Sequence, residues 1–164
     1  MKHLFVARHG DYDYDSMYAA RLNDSGRQQM EVLGKAMKEI LKGSSVYLIS
    51  STAPRALDSS EILVAQLALP VFEKSSYLWS GDDAPSDSFY RNPSLDRLMG
   101  LVNNKRSKAD GLVMVTHLEV AEEFPTYFLK KELGQDEPIG EISKGQAVHF
   151  DLEQRTYQII SGRK

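Results

Sequence analysis

The stretch LFVARHG, residues 4–10, places four apolar residues directly before an arginine, a histidine and a glycine. Two later stretches repeat this arrangement of an apolar run followed by polar residues: VYLISS at residues 46–51 and LVMVTH at residues 112–117. Short apolar runs that do not alternate with polar residues are typical of strands covered on both faces, as in a parallel sheet. We therefore predict three buried strands, at residues 4–7, 46–49 and 112–115.

Between these strands, apolar residues recur at helical spacing. The first helix is predicted to begin at Asn23 or Asp24 and to stop at Gly43, and the second to end before Pro70. The apolar residues that define these two helices and a third are Met30, Leu33, Met37, Ile40, Leu41, Ala56, Leu57, Ile62, Leu63, Leu67, Leu95, Leu98, Met99 and Val102. This alternation of strand and helix predicts a three-layer α/β/α sandwich around a mostly parallel sheet.

The rest of the chain shows weaker patterns. Val71 and Phe72 predict the start of a fourth strand, and residues 75–88, rich in Ser, Asp, Gly and Pro, predict a loop. Residues 119–133 have a helical pattern in which Pro125 predicts a kink or the start of a second short helix. Residues 146–152 and 156–160 predict a terminal hairpin or paired strands. No shift in composition divides the chain, so we predict one domain over residues 1–164.

Composition excludes several classes of protein. The chain is 41% hydrophobic and 26% charged, as in ordinary globular domains, and no apolar run approaches the length of a membrane span or of a secretory signal. It has no cysteine, which excludes disulfides, thiolate metal ligands and a cysteine nucleophile. A net charge of −3 argues against nucleic-acid binding, and the basic run at residues 105–108 is interpreted as a solvated helix end. We expect a cytoplasmic monomer that does not bind membranes.

Functional side chains follow all three predicted strands. Arg8 and His9 follow the first, Ser51 and Arg55 the second, and His117 the third. In open α/β sheets, ligands bind beyond the carboxyl ends of the strands. We therefore expect the two arginines and two histidines to meet at one edge of the sheet. The other two histidines, at positions 3 and 149, are interpreted as surface or hydrogen-bonded core residues.

These residue types suit the chemistry of a phosphoryl group. Arginine offers a planar fork of donors to the phosphoryl oxygens, and a neutral imidazole can attack phosphorus and hold it as phosphohistidine. A second imidazole, if protonated, can donate to the oxygens in the transition state. Arg8 and His9 can share one pocket only where the strand ends, and Gly10 would permit that departure. The pattern predicts a metal-independent phosphatase with His9 as nucleophile.

Four stretches carry a family resemblance: ARHGD (7–11), LNDSGRQQ (22–29), SSTAPRALDSSEIL (50–63) and VTHLE (115–119). With these motifs the chain resembles the histidine phosphatase superfamily, which has the phosphoglycerate mutase-like fold. The resemblance implies that His9 becomes phosphorylated, that Arg8, Arg55 and His117 complete the phosphate pocket, and that no cofactor or metal is needed. We also expect Gly10 and Ser51 to contact the substrate. The compact length is most similar to the SixA-type branch, which implies a phosphohistidine substrate such as a His-containing phosphotransfer protein.

The chain departs from this family at one position. Mutase-like members carry a glutamate acid in an L-x-E motif, whereas residues 78–80 read LWS. Asp82 is our candidate for the proton donor, with Asp83 and Glu119 as alternatives, although the two aspartates also suit a solvated turn. An imidazole leaving group can take up its own proton, so the missing glutamate favours phosphohistidine over an alkyl phosphate. A small-molecule phosphomonoesterase, or a phosphate-binding module with little turnover, remains an alternative.

The acidic run DYDYD at residues 11–15 suggests a metal site as another alternative. A D-x-D pair after the first strand is similar to Mg²⁺-dependent phosphatases of the haloacid dehalogenase type, but residues 8–10 separate it from the strand. A calcium loop is excluded because Ser16 and Leu22 occupy the positions of its glycine and glutamate. No glycine-rich nucleotide loop is present. Tyr12 and Tyr14 are interpreted as part of a substrate-facing loop or a plain exposed turn.

Overall fold

The computed structural model describes residues 1–14 and 20–161. Asp15 and Ser16, which belong to the metal alternatives above, lie outside the described residues. The strands are β1 His3–Arg8, β2 Tyr12–Tyr14, β3 Ala20–Leu22, β4 Val46–Ser50, β5 Glu73–Lys74, β6 Gly111–Thr116, β7 Gln146–Asp151 and β8 Thr156–Ser161. The α-helices are α1 Asp24–Ile40, α2 Pro54–Leu67, α3 Leu95–Asn103 and α4 Leu118–Phe128.

A mostly parallel sheet of six strands forms the centre of the molecule, in the order β5-β4-β6-β1-β7-β8. Strands β5, β4, β6 and β1 run parallel to one another, and β7 and β8 add an antiparallel edge. In this register Arg8 pairs with Thr116, and Ser50 pairs with Val115. The carboxyl ends of β1, β4 and β6 are therefore level, which brings the residues after them together.

The two faces of the sheet carry separate hydrophobic cores. Leu4 and Val6 of β1 pack into a core with α3 and α4, whereas Phe5 and Ala7 pack into a core with α1 and α2. Successive strand residues point to opposite faces, so a continuous apolar run is what a strand covered on both sides requires. The three-layer α/β/α sandwich predicted from the sequence is confirmed.

Helix boundaries follow local signals. The side chain of Asn23 caps α1 by accepting the N–H of Gly26 at 2.8 Å, and Gly43 adopts a left-handed φ of 78° just beyond the helix. Pro54 occupies the first turn of α2, where its missing N–H costs nothing. In the described parts of the chain, no helix has the length and apolar character needed to cross a bilayer.

The weaker predictions need correction. The fourth strand lies at Glu73–Lys74 rather than at Val71 and Phe72, and it is only two residues long. The predicted loop at residues 75–88 contains a 3₁₀ turn, Ser76–Leu78, with Tyr77 and Leu78 buried. Pro125 lies inside α4 and does not start a second helix, since the α-helix continues to Phe128 and then becomes a π-helical turn, Leu129–Leu133. The terminal hairpin of β7 and β8 is confirmed.

Two local features did not follow from the sequence patterns. Strands β2 and β3 pair as a small antiparallel hairpin, in which Tyr12 lies opposite Leu22. Lys105 is not a solvated end residue, because it is buried, bonds to Glu73 and lies 4.5 Å from the centroid of the Tyr47 ring. Its stem thereby covers apolar surface while the ammonium keeps a charged partner.

Candidate active site

The carboxyl ends of β1, β4 and β6 open into a cavity of about 320 Å³. Arg8, His9, Arg55 and His117 all line it, so the structure brings together the four side chains that the sequence placed at one sheet edge. The other lining residues are Tyr12, Tyr14, Ser80, Gly81, Asp82, Asp83, Leu118, Glu119 and Lys144.

Strand β1 ends between Arg8 and His9, which lets both side chains reach the cavity. The N–H of His9 still donates to the Thr116 carbonyl at 3.1 Å, although the strand has ended at Arg8. Gly10 is needed for close packing rather than for an unusual φ. A Cβ there would lie 2.6 Å from the carbonyl oxygen of Gly26 in α1. The expectation that Gly10 frees the backbone is therefore corrected: its small size lets α1 approach.

The ring of His9 is held in one orientation and one tautomer. Its Nδ1 lies 2.8 Å from the carbonyl oxygen of Gly10, which can only accept, so Nδ1 carries the proton and Nε2 carries the lone pair. Burial lowers the pKa of His9 to about 3, and the charges of Arg55, Arg8 and Lys144 add to this against the effect of the Gly10 hydrogen bond. At neutral pH the ring is therefore uncharged.

His117 has the same tautomer as His9, although its hydrogen bond is made by the other ring nitrogen. Ser51 Oγ accepts the N–H of Ala53 at 3.2 Å, and Nε2 of His117, at 2.8 Å, is the one acceptor for its own proton among the described residues, so the hydroxyl donates to that nitrogen. The proton of His117 is then on Nδ1. Burial, followed by the nearby His9, Arg55 and Arg8, holds the pKa of His117 well below its usual value. The expected imidazolium is therefore a neutral ring that still offers an N–H donor.

The two arginines are held in place by hydrogen bonds to neighbouring residues. Arg8 Nη1 donates to the carbonyl of Ile142 at 3.0 Å, and Arg55 bonds to both carboxylate oxygens of Asp83 at 3.1 and 3.5 Å. Three buried nitrogens in the cavity wall have no partner among the described residues: Nε of Arg8, Nε of Arg55 and Nδ1 of His117. Buried donors are normally satisfied, and a tetrahedral oxyanion would supply acceptors to all three.

The candidate proton donors occupy different environments. Burial alone would raise the pKa of Asp83. The hydrogen bonds and charge of Arg55, with a hydrogen bond from the indole of Trp79, outweigh burial and lower that pKa, so Asp83 is a poor proton donor at neutral pH. Asp82 is exposed and accepts from the Tyr90 hydroxyl at 2.7 Å. Glu119 accepts a hydrogen bond from Ser80 Oγ at 2.5 Å. Ser80 stands at the position where the L-x-E motif of the mutase-like members has its glutamate.

Two other predicted contacts lie behind the cavity wall. Gly10 and Ser51 are not among the lining residues; Gly10 supports His9, and Ser51 supports His117. Asp11 and Asp13 of the acidic run are not among the lining residues either. Asp11 accepts from the Gln29 amide at 2.7 Å and Asp13 from the Asn23 amide at 3.2 Å, so both bind near the start of α1. Among the described residues, no group of three His, Asp or Glu side chains could hold a metal ion.

Sequence reasoning missed Lys144 altogether. Its ammonium lies 4.4 Å from the centroid of the Tyr12 ring, and the guanidinium of Arg55 lies 5.0 Å from the same centroid. Lys144 comes from the loop before β7, far from the other site residues in sequence, and no motif surrounds it. Of the two interpretations of Tyr12 and Tyr14, a substrate-facing loop or a plain exposed turn, their place in the cavity lining favours the first.

Residues 4–76 match the family model of the histidine phosphatase superfamily, branch 1. The resemblance to this superfamily is confirmed. A search of curated protein sequences gave no match. The matched segment contains Arg8, His9 and Arg55, whereas His117 lies beyond it and joins the site through the fold. The family match, with phosphatases among the structural neighbours, supports a phosphatase enzyme.

Solved structures share the histidine phosphatase fold over almost the whole chain. The protein histidine phosphatase SixA bound to tungstate is 17% identical, with a TM-score of 0.68 over 98% of this chain and 97% of that one. A protein assigned as a phosphohistidine phosphatase SixA from Nakamurella multipartitia is 14% identical, with a TM-score of 0.70 over 97% and 93%. A mycobacterial glucosyl-3-phosphoglycerate phosphatase is 17% identical, with a TM-score of 0.66 over 98% of each chain.

Proposed function

We propose that this chain is a phosphatase in which Nε2 of His9 takes the phosphoryl group from a substrate and water then releases it. The observation that carries the proposal is the hydrogen bond from Nδ1 of His9 to the Gly10 carbonyl, at 2.8 Å. It leaves the lone pair on Nε2, in a ring that lines the same cavity as Arg8, Arg55 and His117. The unpartnered nitrogens of those three residues are the donors for the phosphoryl oxygens.

The reaction proceeds in two steps. In the first, the Nε2 lone pair of His9 forms a bond to phosphorus while the bond to the leaving group breaks and its electron pair departs with that group. In the second, water attacks phosphorus, the P–N bond breaks, and its electron pair returns to Nε2, while the proton of the water passes to solvent or a carboxylate. His9 keeps its Nδ1 proton throughout. No step needs a metal ion, and metal independence is part of the proposal.

We propose that the chain is a SixA-like protein phosphohistidine phosphatase and that its substrate is a His-containing phosphotransfer protein. Its support is the likeness to SixA structures and the serine at position 80, because an imidazole leaving group needs no strong enzyme acid. A single domain over residues 1–164, a monomeric state and a cytoplasmic location complete the proposal. Roles in turnover for Arg8, Arg55 and His117 belong to it as well, whereas Asp82, the proton donor expected from the sequence, is exposed and is not given a role in turnover.

Two observations favour alternatives. One neighbour of equal identity, 17%, is a glucosyl-3-phosphoglycerate phosphatase, which favours a small-molecule phosphomonoesterase of the same superfamily. The lack of a glutamate at position 80 favours a phosphate-binding module with little turnover. The three functions differ in whether His9 becomes phosphorylated and in which substrate does so fastest.

The test is a trapping experiment with labelled substrates. The purified protein is mixed briefly with a phosphohistidine protein, a phosphotyrosine peptide or a sugar phosphate, each carrying labelled phosphate, and then quenched in base. We expect label on His9, fastest from phosphohistidine, and no label or turnover in His9→Ala. His149→Gln, which changes a buried histidine outside the cavity, is the matched control and should keep both activities.

Each alternative has its own outcome in this experiment. Faster labelling from the sugar phosphate would favour the small-molecule enzyme. Binding of phosphate or tungstate without any labelled His9 would favour the binding module. Loss of activity in the presence of a chelator would contradict metal independence.

A further inference from the structure

The residues that line the cavity carry balanced charge. Three are cationic, Arg8, Arg55 and Lys144, and three are carboxylates, Asp82, Asp83 and Glu119. His9 and His117 add no positive charge at neutral pH, because burial holds the pKa of each ring low. A phosphoryl group is itself doubly anionic, so this lining has no excess of positive charge left for a second anionic group on the substrate.

The charges are not equally available to a substrate. Asp83 forms an ion pair with Arg55 at 3.1 Å, so its charge is offset within the protein. Lys144 lies over the Tyr12 ring and 3.8 Å from a carboxylate oxygen of Asp11, so its charge is also partly offset. Asp82 and Glu119, which we name the acidic pair, form no ion pair through their carboxylates in the described parts of the chain; Arg91 donates to the backbone carbonyl of Asp82 at 2.8 Å.

Neutral hydroxyl groups hold the acidic pair in place. Tyr90 donates to Oδ1 of Asp82 at 2.7 Å, and Ser80 donates to Oε2 of Glu119 at 2.5 Å. A neutral donor orients a carboxylate but does not cancel its charge. The second oxygen of each carboxylate has no hydrogen-bond partner among the described residues. The acidic pair therefore presents negative charge and free acceptors to whatever occupies the cavity.

The acidic pair lies beside the place for the phosphoryl group. Glu119 follows His117 by two residues in the first turn of α4, and His117 contributes the buried, unpartnered Nδ1 to the same cavity. An oxyanion held by His117, Arg8 and Arg55 would thus share its cavity with these two carboxylates. A second anionic group on the substrate would be repelled there, whereas a cationic N–H would be bound.

We infer that the acidic pair selects substrates in which the leaving group is a cationic nitrogen, that is, phosphoramidates such as phosphohistidine with a protonated ring. The inference rests on the proposed function and assigns Asp82 and Glu119 as specificity-determining residues rather than as proton donors. It also accounts for Ser80, since its hydroxyl keeps Glu119 as an acceptor.

The chemistry of the leaving group gives the acidic pair its effect. In a protonated phosphohistidine, one ring nitrogen carries the phosphoryl group and the other carries a proton. When Nε2 of His9 attacks phosphorus, the P–N bond of the substrate breaks and its electron pair returns to the ring nitrogen. The leaving imidazole is then neutral, because it already holds its proton. A carboxylate that accepts a hydrogen bond from this N–H stabilises the protonated ring, which is the reactive form of the substrate.

Two peptides of identical sequence, one with phosphohistidine and one with phosphotyrosine, test the inference. Wild type is compared with Asp82→Asn, Glu119→Gln and the double variant. Glu123→Gln is the matched control, since this exposed residue lies on α4 but outside the cavity lining. We expect the double variant to lower kcat/KM for the phosphohistidine peptide about tenfold, as expected for charge-assisted contacts in a partly exposed site, and to leave the phosphotyrosine rate unchanged.

Ionic strength provides a second measurement. Added salt should reduce the wild-type preference for phosphohistidine and should not change the preference of the double variant, because screening acts on the charges that the variant lacks. An unchanged preference in the double variant, or an equal loss on both peptides, would overturn the inference while labelled His9 still forms. If wild type forms no labelled His9 with either peptide, it is the proposed function that fails.

Discussion

At the scale of single residues, the site depends on hydrogen bonds that choose the tautomer of each imidazole. Gly10 accepts from Nδ1 of His9, whereas Ser51 donates to Nε2 of His117. In the proposed reaction, the first ring would offer a lone pair to phosphorus and the second would offer an N–H to a phosphoryl oxygen. Both rings are neutral at pH 7, since burial lowers both pKa values.

Ser51→Ala removes the donor that fixes the tautomer of His117. We expect kcat to fall about tenfold with little change in KM, because the lost hydrogen bond matters most when charge develops on the oxygens. Ser60→Ala is the control, since Ser60 is also fully buried in this region but its hydroxyl has no partner among the described residues. Steady-state kinetics on both variants make the comparison. An equal loss in Ser60→Ala would show that packing, rather than the tautomer, is responsible.

Arg55→Ala removes a buried guanidinium from the cavity wall. We expect kcat/KM to fall on the order of 100- to 1000-fold through both a higher KM and a lower kcat, as for loss of a donor to developing charge. Arg55→Lys should recover only part, because an ammonium cannot reproduce the planar fork that binds Asp83 through two nitrogens. Arg97→Ala, which removes a cation from the Tyr77 ring outside the cavity, should keep wild-type kinetics. Full recovery by lysine would contradict a role for the fork.

At the scale of elements, the site depends on how closely α1 approaches the end of β1. Gly10 and Gly26 meet backbone to backbone, and a Cβ on Gly26 would lie 2.0 Å from the carbonyl oxygen of Asp11. Because neither backbone segment can move aside without displacing His9, this contact couples helix packing to the position of the nucleophile.

Gly26→Ala should destabilise the protein by about 2 kcal/mol, since overpacking against backbone forces the helix and strand apart. Gly100→Ala is the control on α3, where nothing lies within 4 Å of the added Cβ. That variant should be stabilised by about 0.5–1 kcal/mol through helix propensity. Urea unfolding measures both free energies. A neutral result for Gly26→Ala would show that the two backbones separate easily.

At the scale of the whole molecule, buried neutral histidines make stability depend on pH. Gln158 donates to Nδ1 of His149, so Nε2 carries the proton and donates to Nδ1 of His3 at 3.1 Å. The interpretation of His3 and His149 as hydrogen-bonded residues fits this arrangement. Burial, with the charge of His3, lowers the pKa of His149 to about 4. His9 and His117 have lowered pKa values for the same main reason.

Each of these histidines binds a proton in the unfolded chain near pH 6.5 but not in the folded protein. The unfolded state therefore holds more protons below that pH, and the free energy of unfolding falls as the pH drops from about 6.5 towards 4. The slope should approach 1.4 kcal/mol per pH unit for each histidine, as an order of magnitude. Urea unfolding at pH 7, 6 and 5 measures it. His149→Gln removes one of the three buried histidines and should reduce the slope by about a third. An unchanged slope would contradict the assignment of this pH dependence to the buried histidines.

The amino-acid sequence by itself determined the sheet, the layers and four of the residues that line the cavity. Continuous apolar runs specify buried strands, and parallel strands place the residues after them at one edge, so Arg8, His9, Arg55 and His117 could be located without coordinates. The short edge elements could not be predicted in the same way. Strand β5 and the hairpin of β2 and β3 form because they pair with other strands, rather than because of an apolar pattern of their own.

The tertiary structure alone decided everything that depends on contacts between distant segments. It placed Lys144 on the cavity wall and bonded Ser80 to Glu119 across 39 positions of sequence. It also paired Asp83 with Arg55, whereas the carboxylates of Asp82 and Glu119 form no ion pair among the described residues. Tautomers and pKa values also belong to this level, since burial and hydrogen-bond partners set them. The type and spacing of residues determine which strand end each one follows. The charge state and the hydrogen-bond partner of each side chain depend on its surroundings in the folded protein.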